Sequence, residues 1–281
     1  MPELPDIVVY IEALEKRVTG SVLEKVRLGS PFLLRSVDPS PHEVEGSKVQ
    51  CFRRLGKRIA MGLEGDRWVV LHLMIAGRLH WRKKGAPIGS RNTLAAFDFA
   101  NGSLVLTEAG SQRRASLYLA RSEEGLETLR RGGLEVLEAT LADFSSALTR
   151  ENHTLKRSLT DPDLFSGIGN AYSDEILHRA GLSPVALTSK LGAEEIQRLF
   201  EATKATLLDW VAKLRAETAD GFPEGVTAFR EEMAVHGRFG LPCPVCGAKV
   251  QRTATRPTRP TTAPGARRAD GCWPIAGCRA C

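Results

Sequence analysis

The chain has 281 residues, of which 42% are hydrophobic and 26% are charged, a composition typical of globular proteins. No apolar run approaches the roughly 18 residues that a membrane span needs, and the N-terminus lacks the basic patch and apolar stretch of a signal peptide. These features exclude a membrane protein and predict a cytoplasmic one. The formal net charge of +6 suits a polyanionic partner such as nucleic acid, although many monomeric enzymes carry such a charge by chance.

The sequence first predicts an N-terminal helix. Apolar residues recur at helical spacing over residues 6–18, and Gly20 follows the end of that stretch. From about 22 to 121 the chain changes to short β-rich runs separated by turn residues, and the Ala-Asn-Gly at 100–102 is a strong hairpin signal. This pattern favours a mostly antiparallel sandwich or barrel over a parallel sheet.

After Arg121 the sequence becomes helical. The helical patterns cover residues 134–148, 174–181 and 193–217. A linker is predicted over 122–136 and an irregular loop over 218–230. The predicted fold class is therefore α+β and multidomain, and its parts are a β-sandwich with an N-terminal helix over 1–124, a helical domain over 137–232 and a cysteine-rich segment over 236–281.

The cysteines are concentrated at the C-terminal end. Cys51 stands alone, and the other five of the six cysteines follow residue 242. They include two C-x-x-C pairs, Cys243 with Cys246 and Cys278 with Cys281. In a chain without a secretory signal such pairs indicate metal ligands before disulfides.

The N-terminal sequence MPELPD contains a candidate nucleophile. A small second residue allows removal of the initiator methionine, which makes Pro2 the terminal residue. Its secondary amine then has an ordinary pKa near 8, so a useful fraction is neutral at pH 7. Glu3 and Asp6 place carboxylates nearby that can hold or pass protons. By position alone, the same residues are more typical of a helix start, where proline and acidic side chains are common.

A glycine-rich turn occurs at GIGNAY. Gly167 and Gly169 precede a predicted helix over 171–180 that Gly181 ends. Glycines at such a place let the backbone approach a phosphate, and the helix N-terminus offers free N–H donors. Asn170 can add its amide to that phosphate. The alternative is a plain tight turn between helices in which Asn170 caps the second helix.

Together these segments resemble the formamidopyrimidine-DNA glycosylase/endonuclease VIII family. MPELPD, LGKRI, GIGNAYSDEILHRAGLSP and HGRFGLPCPVCG occur in the family's order and cover most of the chain. The resemblance implies a β-sandwich joined to a helical domain with a helix–two-turn–helix motif, followed by a zinc-finger-like segment. It also implies a monomeric base-excision-repair glycosylase with abasic-site lyase activity, whose partner is double-stranded DNA containing damaged bases or abasic sites.

The resemblance assigns roles to particular residues. Pro2 attacks the sugar C1′ of a damaged nucleotide, and Glu3 acts in proton transfer during sugar opening. Lys57, grouped with them in the catalytic set, binds a phosphate beside the lesion, as do His72 and Asn170. The damaged base must leave the stack to be reached, and the iminium at the proline then permits β- and usually δ-elimination.

Two segments depart from the purine-specific members of the family. Those members fill the emptied stack with Met, Arg and Phe. In this chain the Met position is Ile75, with Met74 beside it, and Arg114 keeps the DNA-binding arginine but is followed by Ala115 instead of Phe. The loop over 218–229 also lacks a recognisable counterpart of the family's 8-oxoguanine capping loop. The choice between oxidised purines and oxidised pyrimidines therefore stays open.

The expected zinc site departs further. The resemblance implies one structural zinc ion, and the candidate ligands are Cys243, Cys246, Cys278 and Cys281. The family places its second C-x-x-C about 16 residues after the first, where this chain has Ala263 and Ala266. The long loop can still close, because loop entropy grows slowly with length, but it offers no hairpin to arrange the thiolates. The zinc finger is therefore expected to be defective and its zinc occupancy low.

The tail from about Thr253 has a second explanation. Codons compatible with this tail, when translated from one base earlier, can yield RYATNETNYCARCQTGGRLLADRGLSRL. In that frame a Cys-Ala-Arg-Cys falls at residues 263–266 and restores the family's spacing. The hypothesis is that the tail is a frameshift product, either genuine or a sequencing error.

Two other functional classes compete with the enzyme. A protein of this fold can bind damaged DNA without catalysis, and the anomalous tail is compatible with a nonfunctional relic. Intact Pro2, Glu3 and Lys57 favour the enzyme.

Overall fold

A computed structural model of the protein describes residues 1–109, 113–226 and 229–251. Within these ranges the α+β fold class predicted from sequence is confirmed, with an N-terminal sandwich of two antiparallel sheets and a helical region behind it. Cys278 and Cys281, with the rest of the tail from residue 252, lie outside the described residues. No helix of the described part is long and apolar enough to cross a membrane.

The helices of the described part are α1 Leu4–Val18, α2 Pro41–Val44, α3 Ser122–Glu127, α4 Leu141–Thr149, α5 Leu155–Thr160, α6 Asn170–Ala180 and α7 Ala193–Thr218. The strands are β1 Val22–Leu23, β2 Lys25–Leu28, β3 Ser47–Leu55, β4 Arg58–Leu63, β5 Arg67–His72, β6 Gly77–Arg82, β7 Thr93–Phe99, β8 Gly102–Glu108 and β9 Ser116–Arg121. The helix α1 begins two residues before the predicted start, because Glu3 and Asp6 form a capping box.

The sandwich is built from a five-stranded sheet in the order β1-β3-β4-β5-β9 and a four-stranded sheet in the order β2-β7-β8-β6. The predicted hairpin at 100–102 joins β7 to β8, where Phe99 pairs with Gly102. The core between the sheets also receives the apolar face of α1, including the fully buried Ile7 and Tyr10, and this contact fixes the N-terminus against the sandwich.

The region after the sandwich differs from the prediction in two places. The predicted linker over 122–136 contains the short helix α3. The helix expected from residue 134 begins only at Leu141, because Thr140 and Asp143 cap it there. The residues before the cap are held differently, since Leu134 exchanges backbone hydrogen bonds with Leu164 and Ser166, both at 2.9 Å.

A second hydrophobic core lies among α4, α5, α6 and α7, and Leu4 of α1 belongs to it. The helix α6 ends at Gly181, whose left-handed backbone (φ +64°) forms the predicted stop. The loop after α7 then returns to the sandwich, where Phe222 lies 5.8 Å from the ring of Tyr10 and 6.5 Å from that of Trp81. The first residues of the chain therefore lie between two cores.

Candidate active site

The carboxylate of Glu3 is bound at the N-terminus of α6. It accepts hydrogen bonds from the backbone N–H groups of Gly169 (2.7 Å), Ala171 (2.9 Å) and Tyr172 (3.2 Å). The first turn of a helix leaves its N–H groups without partners in the helix and carries a partial positive charge. These bonds therefore satisfy the buried carboxylate of Glu3. They also bring the N-terminal motif MPELPD into contact with the glycine-rich turn GIGNAY.

The two glycines of the turn are required by close packing. A Cβ on Gly169 would lie 2.5 Å from the Cδ of Glu3 and 2.9 Å from the Nζ of Lys57. Gly167 has a φ of +82°, and a Cβ there would lie 2.9 Å from the Cβ of Leu4. Gly169 thus lets the backbone approach Glu3 and Lys57, and Gly167 lets it approach Leu4. The approach to a phosphate that the sequence suggested stays a prediction.

A second carboxylate holds the start of α1 in place. Asp6 accepts a hydrogen bond from the backbone N–H of Glu3 (2.9 Å) and one from the guanidinium of Arg230 (3.1 Å). Burial raises the pKa of Asp6, and its bonds to Glu3 and Arg230 oppose that shift. Arg230 also donates to Glu217 at 3.1 Å. Arg230 therefore links a late part of the chain to the start of α1, the helix that follows Pro2.

Met1 helps to line a cavity of about 230 Å³ together with Lys57, His72 and Gly167, and Pro2 follows Met1 in the chain. Pro2 is buried and Met1 is partly exposed. Burial lowers the pKa of the Met1 amine, and Glu3 opposes this shift. In the chain that retains Met1 the Pro2 nitrogen belongs to a peptide bond, so only removal of Met1 turns it into a terminal amine.

Two basic side chains reach the same cavity from neighbouring strand ends. Lys57 follows Gly56 in the tight turn between β3 and β4, and burial lowers its pKa while Glu3 raises it. His72 ends β5, and its pKa is lowered to about 4 by burial first and then by Arg58 and Lys57. The imidazole is therefore neutral at pH 7, and it can act as a hydrogen-bond donor but not as a cation.

Asn170 does not cap α6, which corrects one of the two interpretations of the turn. The N-cap residue is Gly169, and the helix N–H groups are bound by Glu3. The side chain of Asn170 is exposed at the first turn. Its backbone carbonyl accepts a hydrogen bond from the ammonium of Lys156 at 2.6 Å.

The segment before β9 is fixed by a buried carboxylate. Glu108 accepts the backbone N–H groups of Arg114 (3.0 Å) and Ala115 (3.1 Å), and the Ala115 methyl is buried. Met74 lines the cavity with a left-handed backbone (φ +52°), and the side chain of Ile75 is exposed. Of the positions that depart from the family pattern, Ile75 is thus open to solvent and Ala115 is not.

Cys243 and Cys246 lie in a small turn that packs against α6. The backbone N–H of Cys243 donates to the carbonyl of Ala248 at 2.8 Å, and His178 of α6 lies 3.3 Å from the Cys243 sulfur. Burial alone would raise the pKa of the Cys243 thiol, but backbone N–H groups of Cys246 and Val245 outweigh it and lower the pKa.

Thiolates bound by such turns suit zinc. In the described part of the chain, no cluster of three or more His, Cys, Asp or Glu side chains can hold a metal ion.

The sequence did not predict the long-range ion pairs that hold the residues around the site. Arg230 holds Asp6 from 224 residues away. Arg54 forms an ion pair with Glu135, and Ser166 donates to the same carboxylate at 2.6 Å. Such pairs have no spacing signature in a single sequence, because their partners meet only when the two cores pack together.

Two family models match the chain. The formamidopyrimidine-DNA glycosylase N-terminal domain matches residues 1–114, and the formamidopyrimidine-DNA glycosylase H2TH domain matches residues 134–219. The formamidopyrimidine-DNA glycosylase of Heliobacterium modesticaldum is 32% identical over 264 residues, which cover 90% of this chain and 94% of the relative. That of Solibacter usitatus is 30% identical with the same coverage.

Solved structures of proteins from the same family are also similar to this chain. The MutM (Fpg) protein of Thermus thermophilus is similar with a TM-score of 0.75 and 31% identity, over 90% of this chain and 93% of that one. The Lactococcus lactis Fpg in complex with DNA containing an abasic site is similar with a TM-score of 0.78 over 90% and 96% of the two chains. Its identity of 24% supports the fold alone.

Proposed function

The chain belongs to the formamidopyrimidine-DNA glycosylase family, and we propose that Pro2, freed from Met1, is its nucleophile. The protein is a base-excision-repair DNA glycosylase with lyase activity, and its partner is DNA containing damaged bases or abasic sites. The observation that supports Pro2 is its place in the chain, between Met1, which lines the cavity, and a Glu3 carboxylate that three backbone N–H groups hold in place. We infer a cytoplasmic location, as the sequence predicts.

The proposed chemistry begins with the neutral secondary amine of Pro2. Its nitrogen forms a bond to C1′ while the bond from C1′ to the damaged base breaks, and the base takes a proton from water. The nitrogen then gives its own proton to the Glu3 carboxylate, which passes it to O4′ as the C1′–O4′ bond opens and the proline nitrogen becomes an iminium. Loss of a proton from C2′ expels the 3′ phosphate, and water then releases the proline.

The groups around the cavity are proposed to hold the DNA. Lys57 lines the cavity and Asn170 is exposed at the first turn of α6, and both side chains are suited to phosphate oxygens. The neutral His72 contributes an N–H rather than a charge. Arg114, fixed by its backbone bond to Glu108, is proposed to contact the DNA beside the lesion.

A structural zinc ion is proposed near the C-terminus. The thiols of Cys243 and Cys246 supply one half of a tetrahedral site, and their soft sulfur ligands suit zinc. Cys278 and Cys281 are the proposed second half. A bound ion would cross-link this segment and would take no part in the reaction at Pro2.

Borohydride trapping tests the nucleophile. Purified protein without Met1 is mixed with DNA bearing one abasic site, reduced, digested and analysed by mass spectrometry. A stable adduct on the Pro2 nitrogen is expected, because only an imine is reducible to a stable amine. The same protein with Met1 retained is the control and is expected to form no adduct there.

The competing class is a protein that binds damaged DNA without catalysis. It predicts tight binding of the abasic DNA with no adduct, from folded protein whose Met1 has been removed. That result would overturn the assignment of Pro2.

A further inference from the structure

An aromatic side chain is exposed on a rigid turn beside β9. Phe32 lies in the 3₁₀ turn Pro31–Leu33 and is 79% exposed. Its neighbour Leu33 is buried at 2% exposure, and the next residues are bound to β9, where the backbone N–H of Arg35 donates to the carbonyl of Leu117 at 2.8 Å. The turn is therefore fixed while its ring points into solvent.

The pairing of strands places this turn at the edge that carries the site. Arg58 pairs with His72, and His72 pairs with Ser116 at the start of β9. On the other side of β9, Leu34 pairs with Leu117 in parallel. Since adjacent strands lie about 4.8 Å apart, Leu34 lies roughly 10 Å from β5 on the far side of β9, and Phe32 precedes Leu34 by two residues.

The bridge also brings the turn of Phe32 near the position where the family pattern is broken. Phe32 precedes Leu34 by two residues, and Ala115 precedes its bridge partner Leu117 by two residues. The Ala115 methyl is short and buried, with 3% exposure, so it cannot reach into a base stack. Among the exposed large apolar residues of 1–109 and 113–121, Phe32 is the aromatic one, and Ile75 is exposed on the other side of His72.

An enzyme that reaches a base by extruding it must tolerate a gap in the stack. Proteins commonly fill or widen such gaps with apolar side chains inserted between base steps. An exposed phenyl ring on a rigid turn suits this task, because little conformational freedom is lost when it stacks. A ring exposed to this degree also contributes little to folding, so its removal should leave the sandwich intact.

We propose that Phe32 inserts beside the lesion and fills the gap that the extruded nucleotide leaves, with Ile75 as a second apolar contact. This inference rests on the proposed function, since it assumes DNA with an extruded nucleotide at the cavity. In this proposal Phe32 takes the role of the phenylalanine that the family has where this chain has Ala115. Phe32 would thus determine the preference for lesion-containing over intact DNA.

The test uses full-length protein without Met1 and two DNA duplexes. One contains a tetrahydrofuran abasic analogue with 2-aminopurine opposite it, and the other is the intact duplex with the same 2-aminopurine. Phe32→Ala is expected to weaken binding of the abasic duplex by roughly tenfold to a hundredfold, as loss of a base–aromatic stack does. Its affinity for the intact duplex should not change, and the 2-aminopurine signal that reports stacking should be lost.

Two variants make the result specific. Phe32→Tyr keeps the ring and is expected to restore both the affinity and the signal. Val37→Ala removes another exposed apolar side chain of the same connection, 96% exposed, and should behave as the unmodified protein.

Equal binding and an equal 2-aminopurine signal for Phe32→Ala and the unmodified protein would overturn the inference. The proposed function is scored separately by trapping of the unmodified protein on abasic DNA. Trapping with no effect of Phe32→Ala would refute the role of Phe32 alone, whereas absence of trapping would refute the proposed nucleophile.

Discussion

The helix α6 holds two distant parts of the chain by similar means. Near its N-terminus the carboxylate of Glu3 accepts three backbone N–H bonds from the helix. One turn further on, the carboxylate of Glu175 accepts three backbone N–H bonds from residues 234–236, at 2.8 to 2.9 Å. The two links have the same hydrogen-bonding chemistry and opposite directions.

Their surroundings differ. Leu4, next to Glu3, is fully buried in the core of the helical region, and Ile7 is fully buried in the core of the sandwich. Among the described residues, the buried apolar cluster beyond Glu175 is small and contains Val235, Cys243 and Val250. Because burial in a hydrophobic core makes such a link rigid, the N-terminal site has its groups in place within the described residues. The zinc ligands proposed for the cysteine segment continue beyond them.

Removing the charge of Glu3 should produce the largest effect on the first region. Glu3→Gln keeps the size of the side chain but removes the proton carrier and places an NH₂ group against backbone N–H donors. We expect strand cleavage at an abasic site to slow by about 100-fold or more, the usual contribution of a positioned acid or base. Single-turnover cleavage measures this.

Glu15→Gln, an exposed glutamate of the same helix α1, is the control and should cleave like the unmodified protein. If Glu3→Gln cleaved at the same rate as this control, the proton-transfer role of Glu3 would be wrong. Thermal unfolding of both variants separates a loss of chemistry from a loss of fold.

Crowding the turn should give the next largest effect. In Gly169→Ala the added Cβ meets the Glu3 carboxylate at 2.5 Å, so we expect a loss of about 1–3 kcal/mol of unfolding free energy from overpacking. Cleavage should slow as well, because Glu3 and Lys57 must move apart. Urea unfolding and single-turnover cleavage measure the two effects.

Gly192→Ala is a matched control for this substitution. Gly192 is also the N-cap residue of a helix, and a Cβ there would meet nothing within 4 Å. Both variants share the small cost of alanine at an N-cap, so the difference between them isolates the contact with Glu3. Equal stabilities would contradict the structure at this turn.

Much of this region was predictable from sequence. The helix α1, the hairpin at 100–102 and the stop at Gly181 follow from periodicity and turn residues, which act over short distances along the chain. The start of α4 at Leu141 was missed, because Leu134 pairs with a segment about 30 residues away and this pairing overrides local helical periodicity. The bond from Arg230 to Asp6 was missed for the same reason, since only the packing of the two cores brings them together.

The pH dependence of the unfolding free energy should report the burial of His72 at the cavity. The pKa of His72 is lowered from 6.5 to about 4 in the folded protein, so between these values the unfolded chain binds more protons. Stability from this group is therefore present above pH 6.5 and is lost as the pH falls towards 4, by roughly 1–2 kcal/mol after allowance for partial exposure. The raised pKa of Asp6 acts in the opposite direction.

His72→Gln should remove this loss while keeping a hydrogen-bonding side chain. Urea unfolding at about pH 7 and about pH 4.5, on either side of the ordinary histidine pKa, gives the difference for each protein. His42→Gln, at an exposed histidine of α2, is the control. An identical pH dependence in His72→Gln and in the unmodified protein would show that the buried imidazole does not cause it.

The cysteine segment supplies the smallest and most specific prediction. Replacing Ala263 and Ala266 with cysteine restores the spacing of the alternative frame without changing the rest of the tail. We expect zinc to bind more tightly than in the unmodified chain, since the second pair of thiolates then follows the first across a shorter loop. Competition with a chromophoric chelator measures zinc affinity, and we expect affinity for abasic DNA to rise by roughly tenfold, the scale of a single well-placed contact.

Adding Cys243→Ser to the doubly substituted chain is the control, because it removes one thiolate of the described half of the site. The gain in zinc affinity should then disappear. If the double substitution changed neither zinc nor DNA binding, the spacing argument would fail, and Cys278 and Cys281 would remain the better candidates for the second half. In either case trapping at Pro2 should persist, because the link from Glu3 to α6 uses no residue of the cysteine segment.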